Sequence, residues 1–413
     1  MSIISFVSFL VLFVLLISLF KTKTDIFSPV RLFLIIWTIS IGLTELKLSR
    51  LQREWTIYSW IIIAISLFSF LLGIFFVYAQ NFDKRKHTVL QIRDIFIIQK
   101  IDSETLLKII YILFFIYLLS YLTIYLVVGF IPLFTTRPDL MRTRFTLFGL
   151  GIIIHSVPTL IYLIIIYYLK VKKNSFNKLI LSFVMLISFV SYMFLLQRFD
   201  LIIFLVLSAV LLYYGSFKLK ASYIFVIISI LIIIIYGISD LRAGDLFIEI
   251  LYYTGQMKFN KSFAIFTEPY MYITMNLENF AFSVEKLTDY TFGYYSFDFF
   301  LALTGLKHWI AEYSNLNPLP YLVNPGYNTY TMFFVYYRDF GIIGSLFFPL
   351  ILGISSYVIY LKMLFKPNIN SVSLYGIVTF VIIFSFFIPM LNWLHFVYNI
   401  ALIHFLTKKI TLE

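Results

Sequence analysis

Residues 55–79 read WTIYSWIIIAISLFSFLLGIFFVYA, an unbroken run without a single charged side chain. As a helix this run rises about 37 Å at ~1.5 Å per residue, enough to cross a hydrocarbon core about 30 Å thick. Backbone amides cannot be left unpaired in lipid, so a helix is the form such a run takes there. The same texture recurs at 2–20, 29–46, 105–129, 147–169, 179–196, 200–216, 221–238, 341–361, 371–389 and 391–406. The expected fold class is an all-α polytopic membrane protein with about eleven transmembrane helices. Composition agrees, with 61% hydrophobic and 13% charged residues, against about 25% charged in soluble domains. Residues 2–20 show no basic leading segment and no small-residue cleavage pattern, so they are expected to be a first span that is kept.

The gaps between runs orient the chain. Lys21, Lys23, Lys84 to Lys86, Lys170 to Lys178, Lys218, Lys220, Lys362, Lys366, Lys408 and Lys409 bound gaps that all fall on one side. Lysine and arginine collect on the cytoplasmic side of membrane proteins, so this side is the cytoplasm. The N-terminus is then outside and the C-terminus inside. Residues 1–238 form eight spans, 239–340 a large outer loop, and 341–413 three further spans. The net charge of +12 follows from this topology and does not call for nucleic acid. In the cytoplasmic loop 80–104, VLQIRDIFII fits a short amphipathic helix lying on the membrane. Within the outer loop, Leu277, Phe280, Ala281, Val284 and Leu287 recur at helical spacing, with Glu278, Glu285 and Lys286 opposite. Phe299, Phe300, Leu303, Leu306 and Ile310 repeat the pattern, so the loop is expected to be partly helical. Residues 315–326, rich in Pro and Asn, are expected to be irregular.

Chemistry is sought at the outer face. Arginine is scarce inside but frequent outside, at Arg50, Arg53, Arg137, Arg142, Arg144, Arg198, Arg242 and Arg338. Its planar fork suits bidentate phosphate or carboxylate binding, although interfacial arginines also serve headgroups. Arg198 stands in the tight turn LLQRFDL, where it can face a ligand or neutralise Asp200. Arg242 lies between Asp240 and Asp245, and Arg338 begins the ninth span. If those spans are neighbours, the three arginines converge on one anion. Asp339 is a carboxylate at a helix start, suited to capping or to proton transfer. The tyrosines of 321–337 fit an interfacial belt or sugar stacking. His87, His155, His308, His395 and His404 show no metal-ligand spacing, and His155 and His404 are read as satisfied within the bundle. There is no cysteine, which excludes disulfides and thiolate metal sites. No nucleotide or nucleophile-elbow motif is present, and no metal or other cofactor is expected.

The stretch NTYT at 328–331, followed by DFGIIG at 339–344 and a span containing Gly353, resembles the O-antigen and capsule repeat-unit polymerases of the Wzy type. The resemblance extends loosely to the topology, with a large late periplasmic loop and span-end arginines. It implies a bacterial inner-membrane glycosyltransferase of GT-C-like fold. Such an enzyme polymerises undecaprenyl-pyrophosphate-linked oligosaccharide repeat units, in contact with membrane lipids and with flippase and chain-length partners. On this resemblance Arg198 and Arg242 hold the pyrophosphate, with Arg338 as a third contact. Asp339 is the catalytic carboxylate, and Asn328, Tyr330 and Thr331 touch sugar. An O-antigen ligase, expected to carry a loop histidine that only His308 could supply, and a lipid-linked oligosaccharide flippase are the alternatives.

Overall fold

A computed structural model describes residues 2–19, 25–171, 175–216, 237, 247–310 and 321–411. In chain order the helices are α1 (Ile3–Leu19), α2 (Pro29–Thr44), α3 (Ile57–Gln80), α4 (Val89–Ile98), α5 (Ser103–Val128), α6 (Leu150–Ile154), α7 (Val157–Lys170) and α8 (Ser175–Met193). They continue with α9 (Arg198–Gly215), α10 (Phe247–Thr254), α11 (Thr267–Lys286), α12 (Asp298–Thr304), α13 (Phe334–Phe365), α14 (Ile369–Ile383) and α15 (Leu394–Ile410). Among the described residues there is no strand, only two isolated β-bridges. Among the described residues, five segments are long and apolar enough to cross a membrane: Ile57–Gln80, Ser103–Phe134, Leu150–Lys170, Ser175–Met193 and Phe334–Phe365. Along α5, Phe115, Leu119, Leu122 and Leu126 face outward at helical spacing. In water that stripe would be a large exposed apolar patch, whereas lipid is its natural surround. The chain is thus an all-helical, membrane-embedded protein. The expected span at 221–238 and Arg242 lie outside the described residues.

The chain divides into two compact units. The first comprises Met1–Arg85, Ile248–Leu361 and Val381–Leu394. In it α1 packs on α2, and α11 on α2 and α3. The helices α3 and α13 meet backbone to backbone. A Cβ at Gly73 would lie 2.2 Å from the Leu350 carbonyl, and one at Gly353 would lie 2.0 Å from that of Phe70. Small residues let membrane helices approach this closely. Phe33 stacks on Phe70 at 4.2 Å, and the indole of Trp37 donates to Ser385 Oγ at 2.9 Å.

Two sequence expectations are corrected in this unit. Glu278 does not face water. It is fully buried, ion-paired to Lys47 at 3.2 Å and accepting from Trp55 Nε1 at 3.0 Å. Burial raises its pKa above the usual carboxylate range, with Lys47 opposing the rise. Helix α11 therefore buries its polar face as well as its apolar one. Asp339 does not start a helix, because α13 already begins at Phe334. The break comes two residues after Asp339, at Gly341 (φ 59°, ψ −139°), a conformation essentially reserved for glycine. A Cβ there would also sit 2.8 Å from the Tyr290 ring.

The second unit comprises Lys86–Phe247, Lys362–Phe380 and His395–Glu413. Helix α7 packs on α8 and α9, α5 on α6 and α7, and α9 on α4. The amphipathic helix forms as expected. A capping box closes its start at Thr88 and Gln91, and Ile92 and Phe96 are its buried face. The run at 147–169 is not one continuous helix, since α6 stops at Ile154 and α7 restarts at Val157. Pro158 has no N–H to return to the Ile154 carbonyl, so the helical ladder opens there and leaves His155 at the break.

Candidate functional site

Three elements of the second unit bring titratable groups together. The open ladder at the α6–α7 break presents His155. Asp200 lies in the first turn of α9, where an anion also suits the positive end of the helix dipole. His395 opens α15. A buried amide fixes the two histidines: Asn399 Nδ2 donates to the carbonyl of His155 at 2.7 Å and to that of His395 at 2.9 Å. Its Oδ1 accepts from Thr159 Oγ1 at 2.5 Å. One side chain thus ties the ends of α7 and α15, and the imidazoles stack with centroids 4.6 Å apart.

Asp200 lies behind them, only 3% exposed, whereas the His155 and His395 side chains are 21% and 26% exposed. Its Oδ2 is 2.5 Å from His155 Nδ1 and accepts from the Tyr192 hydroxyl, which is itself 3.1 Å from the same ring nitrogen. Its Oδ1 has no hydrogen-bond partner and stands 4.0 Å from His395 Nε2. A carboxylate bonded to one ring nitrogen sets the tautomer and makes the other nitrogen a better acceptor. The set can therefore take a proton from a hydroxyl, or offer two nitrogens and an oxygen to a cation.

The histidines show no metal-ligand spacing in sequence, yet two of them meet at Asp200. Members of a single cluster lie 45 residues apart (His155 and Asp200) and on helices far separated in the chain. No local spacing marks them. Only topology could have done so, because the orientation expected from the lysines would bring the starts of the runs at 147–169, 200–216 and 391–406 to one side. His404, by contrast, is satisfied as expected, with Asn370 at 3.1 Å from its Nδ1. Arg198 and Asp200 are not in the interhelical turn, which is Phe194–Gln197 with Leu196 at φ 55°. They belong to the first turn of α9, and Asp200 takes His155 and Tyr192 as partners.

The other expected site residues lie in the first unit. Asp339 is fully buried, accepting from the Thr291 hydroxyl, from Tyr295 N at 3.3 Å and from Ser296 N at 2.5 Å. Those donors hold both of its oxygens, so it ties the 291–296 loop to α13. Arg338 is buried too. It donates to the Asp289 carbonyl and keeps a buried Nε without a partner. Tyr330 stacks on Phe334 at 3.8 Å and, like Thr331, is buried, so both are packed inside the first unit. Asn328 is exposed, on a stretch that α11 holds through Asn279 Nδ2 bonds to the carbonyls of Tyr327 (2.6 Å) and Thr329 (2.9 Å). Arg198 and Arg338 fall in different units, so the three-arginine pocket remains an expectation from sequence.

Comparison with protein-family models, curated proteins and solved structures finds no match to this chain.

Proposed function

We propose that the chain is a membrane glycosyltransferase that polymerises undecaprenyl-pyrophosphate-linked oligosaccharide repeat units. It would work at the periplasmic face of a bacterial inner membrane on a GT-C-like scaffold of about eleven spans. The resemblance over 328–353 suggested this reading. The observation that carries it is the His155–Asp200–His395 cluster, which the positive-inside orientation puts at the outer ends of its helices. Arg198 opens the same helix as Asp200, two residues ahead of it.

In the transfer, an acceptor sugar hydroxyl attacks the anomeric carbon of the growing glycan. The bond from that carbon to the pyrophosphate oxygen breaks. The hydroxyl proton is taken up at the cluster, and the leaving diphosphate is met by span-end arginine, Arg198 foremost. Asp339 is replaced in this scheme by the Asp200 cluster.

The test is expression in a host that lacks its own repeat-unit polymerase. Single surface repeat units should become a ladder, and Arg198→Ala should abolish the ladder at unchanged protein level. No ladder in that host, together with loss of repeat-unit attachment to lipid A when the gene is removed from its own host, would decide for an O-antigen ligase and against the polymerase.

A further inference from the structure

Three features of the cluster go beyond proton transfer. A buried carboxylate oxygen without a hydrogen bond is costly, and native structures rarely leave one. Asp200 Oδ1 is such an atom, and it stands 4.0 Å from His395 Nε2. Two imidazoles stacked at 4.6 Å repel one another if both are protonated, and their carbonyls are clamped by Asn399 so that they cannot separate freely. Finally, one ligand atom from each of His155, Asp200 and His395 lies within 4.8 Å of the others.

We propose that His155, Asp200 and His395 form a binding site for a divalent transition-metal ion. A tetrahedral ion with bonds of about 2.0–2.1 Å holds its ligands roughly 3.4 Å apart, so modest side-chain rotations close the gap. Two imidazole nitrogens and one carboxylate oxygen, with no thiolate, select zinc, manganese, iron(II) or cobalt. Magnesium and calcium prefer all-oxygen sites. The ion gives Oδ1 the partner it lacks and draws the two rings together without protonation. Tyr192, bonded to Oδ2, orients the carboxylate from behind. The part-exposed imidazoles leave the outer side of the ion open to water or to a substrate oxygen. The site stands on geometry alone and does not rest on the glycan reading, although a cation there would acidify a coordinated hydroxyl and so serve the same step.

The experiment uses the full-length chain purified in detergent, stripped with chelator and then titrated with zinc, manganese or cobalt(II) alone. About one equivalent is expected to bind wild type, with cobalt(II) showing the intense visible bands of a low-coordinate site. Binding should weaken at least tenfold in His395→Ala and in Asp200→Asn. Should Asp200→Asn fail to fold, the cobalt spectrum of wild type and the His395→Ala titration decide without it. Equal retention by wild type and His395→Ala, or a cobalt spectrum of the hexaaqua ion, overturns the proposal. Metal binding without ladder formation would sink the polymerase reading and leave the metal site standing. A ladder made by protein that binds no metal would do the reverse.

Discussion

The two units each bury an aspartate, and the two could hardly be treated more differently. Asp339 is ringed by donors that cannot titrate, two backbone amides and a threonine hydroxyl, and it serves a kinked helix and its loop. Asp200 is held by an imidazole and a phenol, keeps one oxygen without a partner, and has part-exposed rings in front of it. Backbone donors around a carboxylate lock geometry. Titratable partners and an oxygen without a hydrogen bond leave it able to do chemistry. Burial alone therefore distinguishes nothing, and the identity of the partners decides.

The largest expected effect tests that contrast directly. Asp200→Asn should cut ladder formation per folded molecule by about 10²–10⁴-fold. Asp339→Asn should do the opposite: an amide NH₂ would face the Ser296 N–H, at a cost of about 1–3 kcal/mol in stability, with activity per folded molecule retained. An Asp339→Asn protein that melts normally but makes no ladder would reverse the assignment. Gly341→Ala sharpens the same point, because a side chain at that φ and ψ costs roughly 1–3 kcal/mol. Thermal denaturation in detergent should show the loss, and an unchanged melting point would mean that the DFG stretch is not the kink it is taken for.

The smallest effect concerns Glu278. Its folded pKa is raised, so its contribution to stability is complete when the group is neutral and is lost as pH rises through that pKa. Relative to Glu278→Gln, wild type should lose stability with increasing pH above the ordinary carboxylate range. Parallel melting curves across that range would mean that Lys47 compensates the buried charge in full.

Much of the fold was legible because lipid imposes simple rules. Length, apolarity and lysine placement located helices such as α1, α2, α3 and α5 to within a few residues. Helix α11 was also readable from its period, whereas the pattern from Phe299 to Ile310 yields only α12, which stops at Thr304 before Gly305 (φ 73°), and α10 was not expected. What failed was inference about partners. NTYT at 328–331 looks like a sugar-binding stretch, but Tyr330 and Thr331 turn inward to pack, leaving Asn328 exposed. Gly341 and Gly353 belong to the motif in sequence, and the structure gives their reasons as a backbone kink and a close helix approach.

By itself, then, the sequence determined that this is a helical membrane chain, roughly where its helices run, and that arginine collects where an outer face would be. Tertiary structure alone decided which polar side chains meet. Hydrophobic periodicity is a local property, one turn or one span at a time. The meeting of His155, Asp200 and His395 depends on how three separate helices end against one another, and on a single asparagine, Asn399, that holds two of those ends together.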